Sequence, residues 1–321
     1  MGVRRYLVRK CLGLLGTLVF ALVLNFFLFR VMPGDPVRLL ARQQELSLEE
    51  QQEQIELFGL DEPLGQQFVT YVGATLRGDF GISARTQRPV WDIIGERVMP
   101  TLLLVGLSTI FSMVFGLWIG IRGAWRRGSG FDKVTHIGSL ALYSTPEGVL
   151  AIAFILVFSG WLGWFPAAGY SSPGLTGMAY VIDVLNHLVL PVLTLGLGYI
   201  GSYSVVMRES LLETMGEDYV GTARAKGLNE SQVRRKHAVP NALLPTMTLV
   251  LYSFGYVIGG AVVTEYIFSF PGLGRLTAEA IGQQDFPLLQ ALFLLLTVSV
   301  LVFNLIADVL YGYLDPRVRE G

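Results

Sequence analysis

Cysteine is almost absent: Cys11 is the only one in 321 residues. No intrachain disulfide and no cysteine-based metal site can therefore form. Cys11 heads an apolar run, as a packing residue does, whereas a lipoprotein cysteine would follow a cleavable apolar signal. Histidine is scarce too, and His136, His187 and His237 lie far apart without metal-ligand spacing. Charged residues make up 15% of the chain, against about 25% in soluble domains. There is no Gly-Lys dipeptide, which excludes a nucleotide-binding P-loop, and no Gly-x-Ser-x-Gly elbow. The sequence thus offers no catalytic residue and no metal ligand. With a net charge of −1 and basic residues scattered between apolar runs, it has no nucleic-acid-binding face either.

What it has instead is hydrophobic length. Hydrophobic residues are 52% of the chain, and six windows approach or exceed the about 20 helical residues needed to cross a bilayer. They lie near Cys11–Phe29, Thr101–Ile121, Thr135–Gly160, Val184–Met207, Ala242–Tyr266 and Pro287–Gly312. Arg4, Arg5, Arg9 and Lys10 precede the first window as in a signal peptide. That run is longer than a usual h-region, and no small-x-small site follows it, so it reads as a retained span. With the N-terminus inside, sixteen Lys and Arg fall in the inner segments, six of them in Arg208–Lys236. The positive-inside rule then puts both termini and the 208–241 loop in the cytoplasm of a plasma-membrane protein. The expected fold is an all-α membrane protein with six transmembrane helices and a small external helical lobe after the first. Residues 1–98 form that first helix and lobe, 99–316 a core of five helices, and 317–321 a tail.

Within the lobe, Ser47 with Glu50 forms a capping box, and Leu48, Ile55 and Phe58 form an apolar stripe closed by Gly59. Pro63 opens a second helix with Leu64, Phe68, Val72 and Leu76 at four-residue spacing, and Gly78-Asp79-Phe80-Gly81 breaks it. Pro89 starts an amphipathic piece through Val90, Ile93 and Ile94. The lobe either covers the first span or receives a partner. Ser144-Thr145-Pro146-Glu147 puts a break and an ionisable group inside the third window. Glu147 either lines a path or pairs with a neighbouring helix. Trp161, Trp164, Phe165 and Tyr170 suit an outer aromatic belt. Gly196, Gly198 and Gly201, then Gly255, Gly259 and Gly260, suit close helix approach. Glu265 closes the fifth window in a structural role, and Asn304 with Asp308 suits helix–helix bonding.

The 208–241 loop is the most patterned polar stretch. It starts as a helix, stops at Gly227-Leu228-Asn229, and restarts where Asn229 and Gln232 form a capping box. Thr222-Ala223, three residues, Gly227, nine residues and His237-Ala238-Val239-Pro240 resemble the Glu-Ala-Ala loop of permease subunits of bacterial ABC importers. Gly221 stands where that pattern has Glu, Thr222 where it has Ala, and His237 and Val239 where it has Ile and Leu. Glu217-Asp218-Tyr219-Val220, Met32-Pro33-Gly34-Asp35-Pro36, Phe270-Pro271-Gly272-Leu273-Gly274, Asn304 to Tyr311 and Asp315-Pro316-Arg317 are similar to its dipeptide/oligopeptide/nickel branch. The resemblance implies a coupling helix between the fourth and fifth spans, docking on an ATPase through Tyr219, Gly221, Thr222, Ala223, Arg224, Ala225, Lys226, Gly227 and Pro240. Ala223, Ala225 and Gly227 would form its small side. It further implies a second homologous permease, two ATPase domains and an extracytoplasmic substrate-binding protein. No cofactor would be bound by this chain, because ATP and Mg would sit on the ATPases. Peptides are the implied cargo and nickel or another small solute the alternative. A secondary transporter or channel would also explain the six windows and Glu147, yet would leave the 208–241 loop without a task.

Overall fold

The structure is a computed structural model that describes residues 3–30, 62–255 and 261–314. The calls at 32–36, Ser47–Gly59, Gly259, Gly260 and 315–317 lie outside those residues. Among the described residues every regular element is helical, and the only extended pairing is an isolated antiparallel bridge between Ile82 and Pro89. The helices are α1 (Val3–Arg30), α2 (Leu64–Leu76), α3 (Val90–Trp125), α4 (Gly130–Ser144) and α5 (Glu147–Phe154). They continue with α6 (Gly177–Met215), α7 (Asp218–Ala225), α8 (Glu230–Val233), α9 (Val239–Gly255), α10 (Val262–Ile267), α11 (Leu273–Gln283) and α12 (Phe286–Leu314). Four of them are long and apolar enough to cross a membrane; a fifth crossing arises if α4 and α5 with its π-helical extension are one broken span.

The third expected span is thus not one rod. Pro146 has no N–H to donate and disfavours a helical residue before it, so Thr145 is extended and the two halves meet at 100°. Of the fifth expected window, the described residues form most of α9, to Gly255, and most of α10, from Val262. The amphipathic piece after Pro89 and the second window are one helix, α3, with Pro100 inside it.

Pairwise contacts set the directions of the long helices. Lys10 Nζ meets Asp308 Oδ2 at 2.8 Å, and Asn25 Nδ2 donates to the Gln290 carbonyl at 2.9 Å, so α1 and α12 are antiparallel. The start of α1 and the end of α12 therefore share one side of the molecule, and Asp308 bonds between helices as its position suggests. α3 runs parallel to α6, with Ser112 Oγ donating to the Gly196 carbonyl at 2.9 Å. α4 opposes α6 through Ser139–Ser204 at 2.6 Å and Asp132–Arg208 at 2.7 Å. α9 opposes it through Ser253–Tyr203 at 2.7 Å.

Close helix approach requires small residues where backbones meet. A Cβ on Gly196 would lie 2.6 Å from Phe111, and one on Gly201 would lie 2.6 Å from the Ser139 carbonyl. A Cβ added to Gly198 would meet nothing within 4 Å, so this position faces away from these contacts. The matching small stripe on α3 is Ser108, Ser112, Gly116 and Gly120, all buried. A Cβ on Gly120 would sit 2.7 Å from the Ser204 carbonyl and 2.8 Å from Met207 Cβ. Gly120→Val is expected to separate α3 from α6, so that the purified chain aggregates in size-exclusion chromatography while Gly198→Val does not. Equal behaviour of the two variants would contradict this packing.

In the described part of the lobe, α2 turns Gln67, Phe68, Tyr71 and Val72 inward, while Leu64 and Leu76 are exposed. Phe26 of α1 packs edge-on against Phe68 with ring centroids 5.2 Å apart. The 81–90 loop is fastened by Asp285, whose carboxylate accepts from Ser83 Oγ and from the Ala84 N–H while facing the first turn of α12. Trp161, which ends the π-helical extension (Ile155–Trp161), and Trp164 are exposed, and Tyr170 packs against Phe270 at 5.4 Å.

Candidate functional site

The helix–turn–helix between α6 and α9 forms because its sequence stops and restarts the backbone in five residues. α7 ends at Ala225, and Gly227 takes φ +82°, the left-handed region that closes a helix at little cost only for glycine. Asn229 then caps α8: its side chain accepts from the Gln232 N–H at 2.9 Å, and Gln232 Oε1 accepts from the Asn229 N–H at 3.1 Å. Arg224 Nε spans the turn to Glu230 Oε1 at 2.9 Å. A five-residue π-helical stretch follows at Arg234–Ala238, just ahead of Pro240, which cannot donate to the Lys236 carbonyl. The widened turn lets one continuous path of helix run from Glu230 into α9.

A small apolar core of Val220, Ala223, Val233 and the partly buried Leu228 holds the two short helices together. Ala223 is therefore turned inward, against the expectation that it belongs to the small outer side. Its neighbours at i−2, i−1 and i+2, namely Gly221, Thr222 and Ala225, are exposed, as are Tyr219, Arg224, Lys226 and Gly227. Thr222 Oγ1 donates back to the Asp218 carbonyl at 3.0 Å. Nothing lies within 4 Å of a Cβ added to Gly221, so a longer side chain fits there without disturbing the fold. Pro240 is exposed at the start of α9.

The segment is mounted on the bundle at both ends. Ala238 and Ala242 pack with Ala124, Met207 and Leu211, a cluster in which α3, α6 and α9 converge. Arg234 sits 5.6 Å over the Trp125 ring. Arg208, at the end of the fourth window, is joined to Asp132 by two bonds of 2.7 and 3.1 Å. The same carboxylate also accepts from the Gly128 N–H at 2.9 Å. The path leaving α8 is thus packed directly on α3 and α6.

Glu147 stands apart from this segment. Its Oε1 accepts from the Thr264 N–H at 2.9 Å and from Thr264 Oγ1, linking the break in the third window to α10. A second carboxylate, Glu265, is fully buried: Oε1 accepts from Thr101 Oγ1 at 2.7 Å and Oε2 from the Arg275 N–H at 2.9 Å. The Leu273 N–H donates to Thr101 Oγ1 at 2.8 Å. Glu265 thus neutralises the N-terminal turn of α11. This explains Pro271-Gly272-Leu273-Gly274: a Cβ on Gly272 would overlap the carboxylate, and one on Gly274 would lie 2.7 Å from Val262 Cα. Sequence reasoning noted the glycines without their partner. It also passed over Gly116 and Gly120, although their four-residue spacing with Ser108 and Ser112 was there to be read.

Two family models match. The binding-protein-dependent transport system inner membrane component covers residues 112–320, and its N-terminal counterpart, the binding-protein-dependent transport system membrane component, covers residues 3–105. The chain belongs to this family of ABC importer permeases. Curated relatives agree over the whole length. Glutathione transport system permease proteins GsiC from Escherichia coli (strain K12) and Salmonella choleraesuis (strain SC-B67) are each 37% identical over 318 residues, 98% of both chains. Among solved structures, an inward-facing MetNI methionine ABC transporter superposes with TM-score 0.56 at 17% identity, over 70% of this permease and 96% of that chain. An amino acid ABC transporter with histidines gives TM-score 0.53 at 14% identity, over 69% and 94%. At those identities the likeness concerns the fold. The permease reading and the multi-pass membrane character stand on family, relatives and helices together.

Proposed function

We propose that this permease forms one half of the translocation path of an ATP-driven importer for small peptides. The carrying observation is the 37% identity, over 98% of both chains, to permeases named for glutathione transport, a peptide. A second, similar permease would complete the path, two ATPase domains would supply the energy, and an external binding protein would deliver cargo to the 33–98 lobe. Six crossings, with both termini and the 208–241 loop in the cytoplasm of a bacterial inner membrane, account for the basic residues there. They also agree with the alternating directions of α3, α4, α6 and α9. α7 and α8 are the coupling element, presenting Tyr219, Gly221, Thr222, Arg224, Ala225, Lys226 and Gly227 to an ATPase groove. Ala223 supports that surface from beneath, and Pro240 holds its exit. Closure of the ATPases then rocks the bundles around a fixed path. Glu147, at the break, is the candidate pathway group and would meet the amino group of a peptide.

The test is uptake into proteoliposomes containing this chain, its partner permease and the ATPases, supplied with the binding protein. ATP-dependent accumulation of labelled glutathione or a dipeptide is expected. Uptake of nickel in place of peptide would overturn the cargo. Uptake by this chain alone under a proton gradient would overturn the class.

A further inference from the structure

A groove of about 720 Å³ opens between the end of α3 and the start of the α8–α9 path. Arg122, Arg126, Arg234 and Arg235 line it together with Trp118 and Trp125, and no Asp or Glu lines it. Among the described residues none of the four arginines pairs with a carboxylate, unlike Arg88, Arg208, Arg224 and Arg275 elsewhere in the chain. Two of the guanidiniums are oriented by rings. Arg122 lies 5.5 Å from the Trp118 centroid and 5.6 Å from that of Phe131, and Arg234 lies 5.6 Å from Trp125. Four like charges around one cavity repel each other unless an anion sits among them, and planar guanidinium forks suit phosphate oxygens.

The approach to the groove decides what carries that anion. Leu107, Ile110, Val114 and Trp118 recur at three- and four-residue spacing on α3, are 37–54% exposed, and run straight into Arg122. Eleven residues separate the ends of this stripe, a rise of about 16 Å at 1.5 Å per residue. One leaflet of a bilayer core of roughly 30 Å is about that deep. A soluble anion or an acidic protein segment has no use for such an apolar track, whereas an acyl chain fits along it. We propose that this groove binds the phosphate of an anionic membrane phospholipid, with an acyl chain along the α3 stripe. Because the groove borders Ser231 and Val239 of the helical path leaving α8, the bound lipid braces the base of the coupling element against α3. The proposal rests on the membrane-spanning reading, although not on which side faces the cytoplasm.

The test uses the full-length chain with Trp91, Trp161 and Trp164 replaced by Phe, so that only Trp118 and Trp125 emit. It is reconstituted in phosphatidylcholine vesicles with a minor fraction of lipid bearing brominated tails. Brominated phosphatidylglycerol is expected to quench with a relative binding constant about tenfold above brominated phosphatidylcholine, given the attraction of several interfacial arginines for an anionic headgroup. In Arg234→Gln/Arg235→Gln the preference should fall to near unity with the far-ultraviolet circular dichroism unchanged, and Arg126→Gln alone should give an intermediate value. Equal quenching by the two lipids in the parent chain overturns the proposal, as does a preference that survives the double substitution. Loss of the preference on adding inorganic phosphate would instead assign the site to a soluble anion. Failure of the chain to insert refutes the membrane reading, whereas insertion without lipid preference refutes this inference alone.

Discussion

Replacing Gly227 by valine is expected to abolish ATP-driven uptake while the chain still inserts and assembles. The position has room: nothing lies within 4 Å of an added Cβ. Its constraint is the backbone, at φ +82°. A residue with a Cβ pays about 1–2 kcal/mol there, and a β-branched one more. At about 1.4 kcal/mol per factor of ten, the native turn becomes about 5- to 30-fold rarer against alternatives for alanine, and rarer still for valine. Beyond its own backbone bonds, the α7–α8 turn is tied by the exposed Arg224–Glu230 pair and the small Val220–Val233 core, a slight hold against a strained residue. The two short helices would then splay, and an ATPase would close without moving α3 and α6. The grading separates this account from a steric one. Gly227→Asn, which tolerates the left-handed region, should keep most of the uptake. Gly227→Ala should lose part and Gly227→Val nearly all. Measured in proteoliposomes, a loss that tracks side-chain size rather than tolerance of positive φ would refute it.

Glu265→Ala is expected to produce the largest loss of stability of any single polar substitution at the α10–α11 end of the permease. The side chain is fully buried and accepts from Thr101 Oγ1 and the Arg275 N–H. Removing it strands those donors and uncovers the N-terminal turn of α11. Each buried donor left unpaired costs about 1–3 kcal/mol, so about 2–6 kcal/mol in all. Heating in detergent followed by size-exclusion chromatography should show an apparent melting temperature lower by about 10 °C, at a few degrees per kcal/mol. Gly272→Ala should be similarly harmful, because its methyl group would overlap the same carboxylate. The double variant should be no worse than Glu265→Ala alone, because the methyl then enters vacated space, a non-additivity expected only of groups in contact. Additive losses would show that the glycine serves some other purpose.

Much of the site was legible because it is written in local chemistry. A left-handed closure at Gly227, the Asn229 box and the proline at Pro240 act within a turn or two of their own position, and the structure forms them where the sequence puts them. The inward turn of Ala223 was not legible, since α7 alone does not say which of its sides Val233 will cover. Gly196 and Gly198 looked equivalent as small residues in an apolar window. Only the placement of Phe111 on α3 makes one a contact and leaves the other open.

By itself the sequence determined the helical class, the places where apolar helices begin, the lack of a P-loop Gly-Lys, and the helix–turn–helix of 218–238. These follow from hydropathy, from caps and from what proline and glycine permit, all of which act between near neighbours in the chain. Tertiary structure alone decided the 100° break in the third window, because Pro146 states that a helix must bend and only its neighbours set how far. It alone paired Glu147 with Thr264, Glu265 with Thr101 and the start of α11, and Lys10 with Asp308. In each case the partners are brought together by helix packing rather than by chain proximity. A buried charge must find its donors wherever that packing places them.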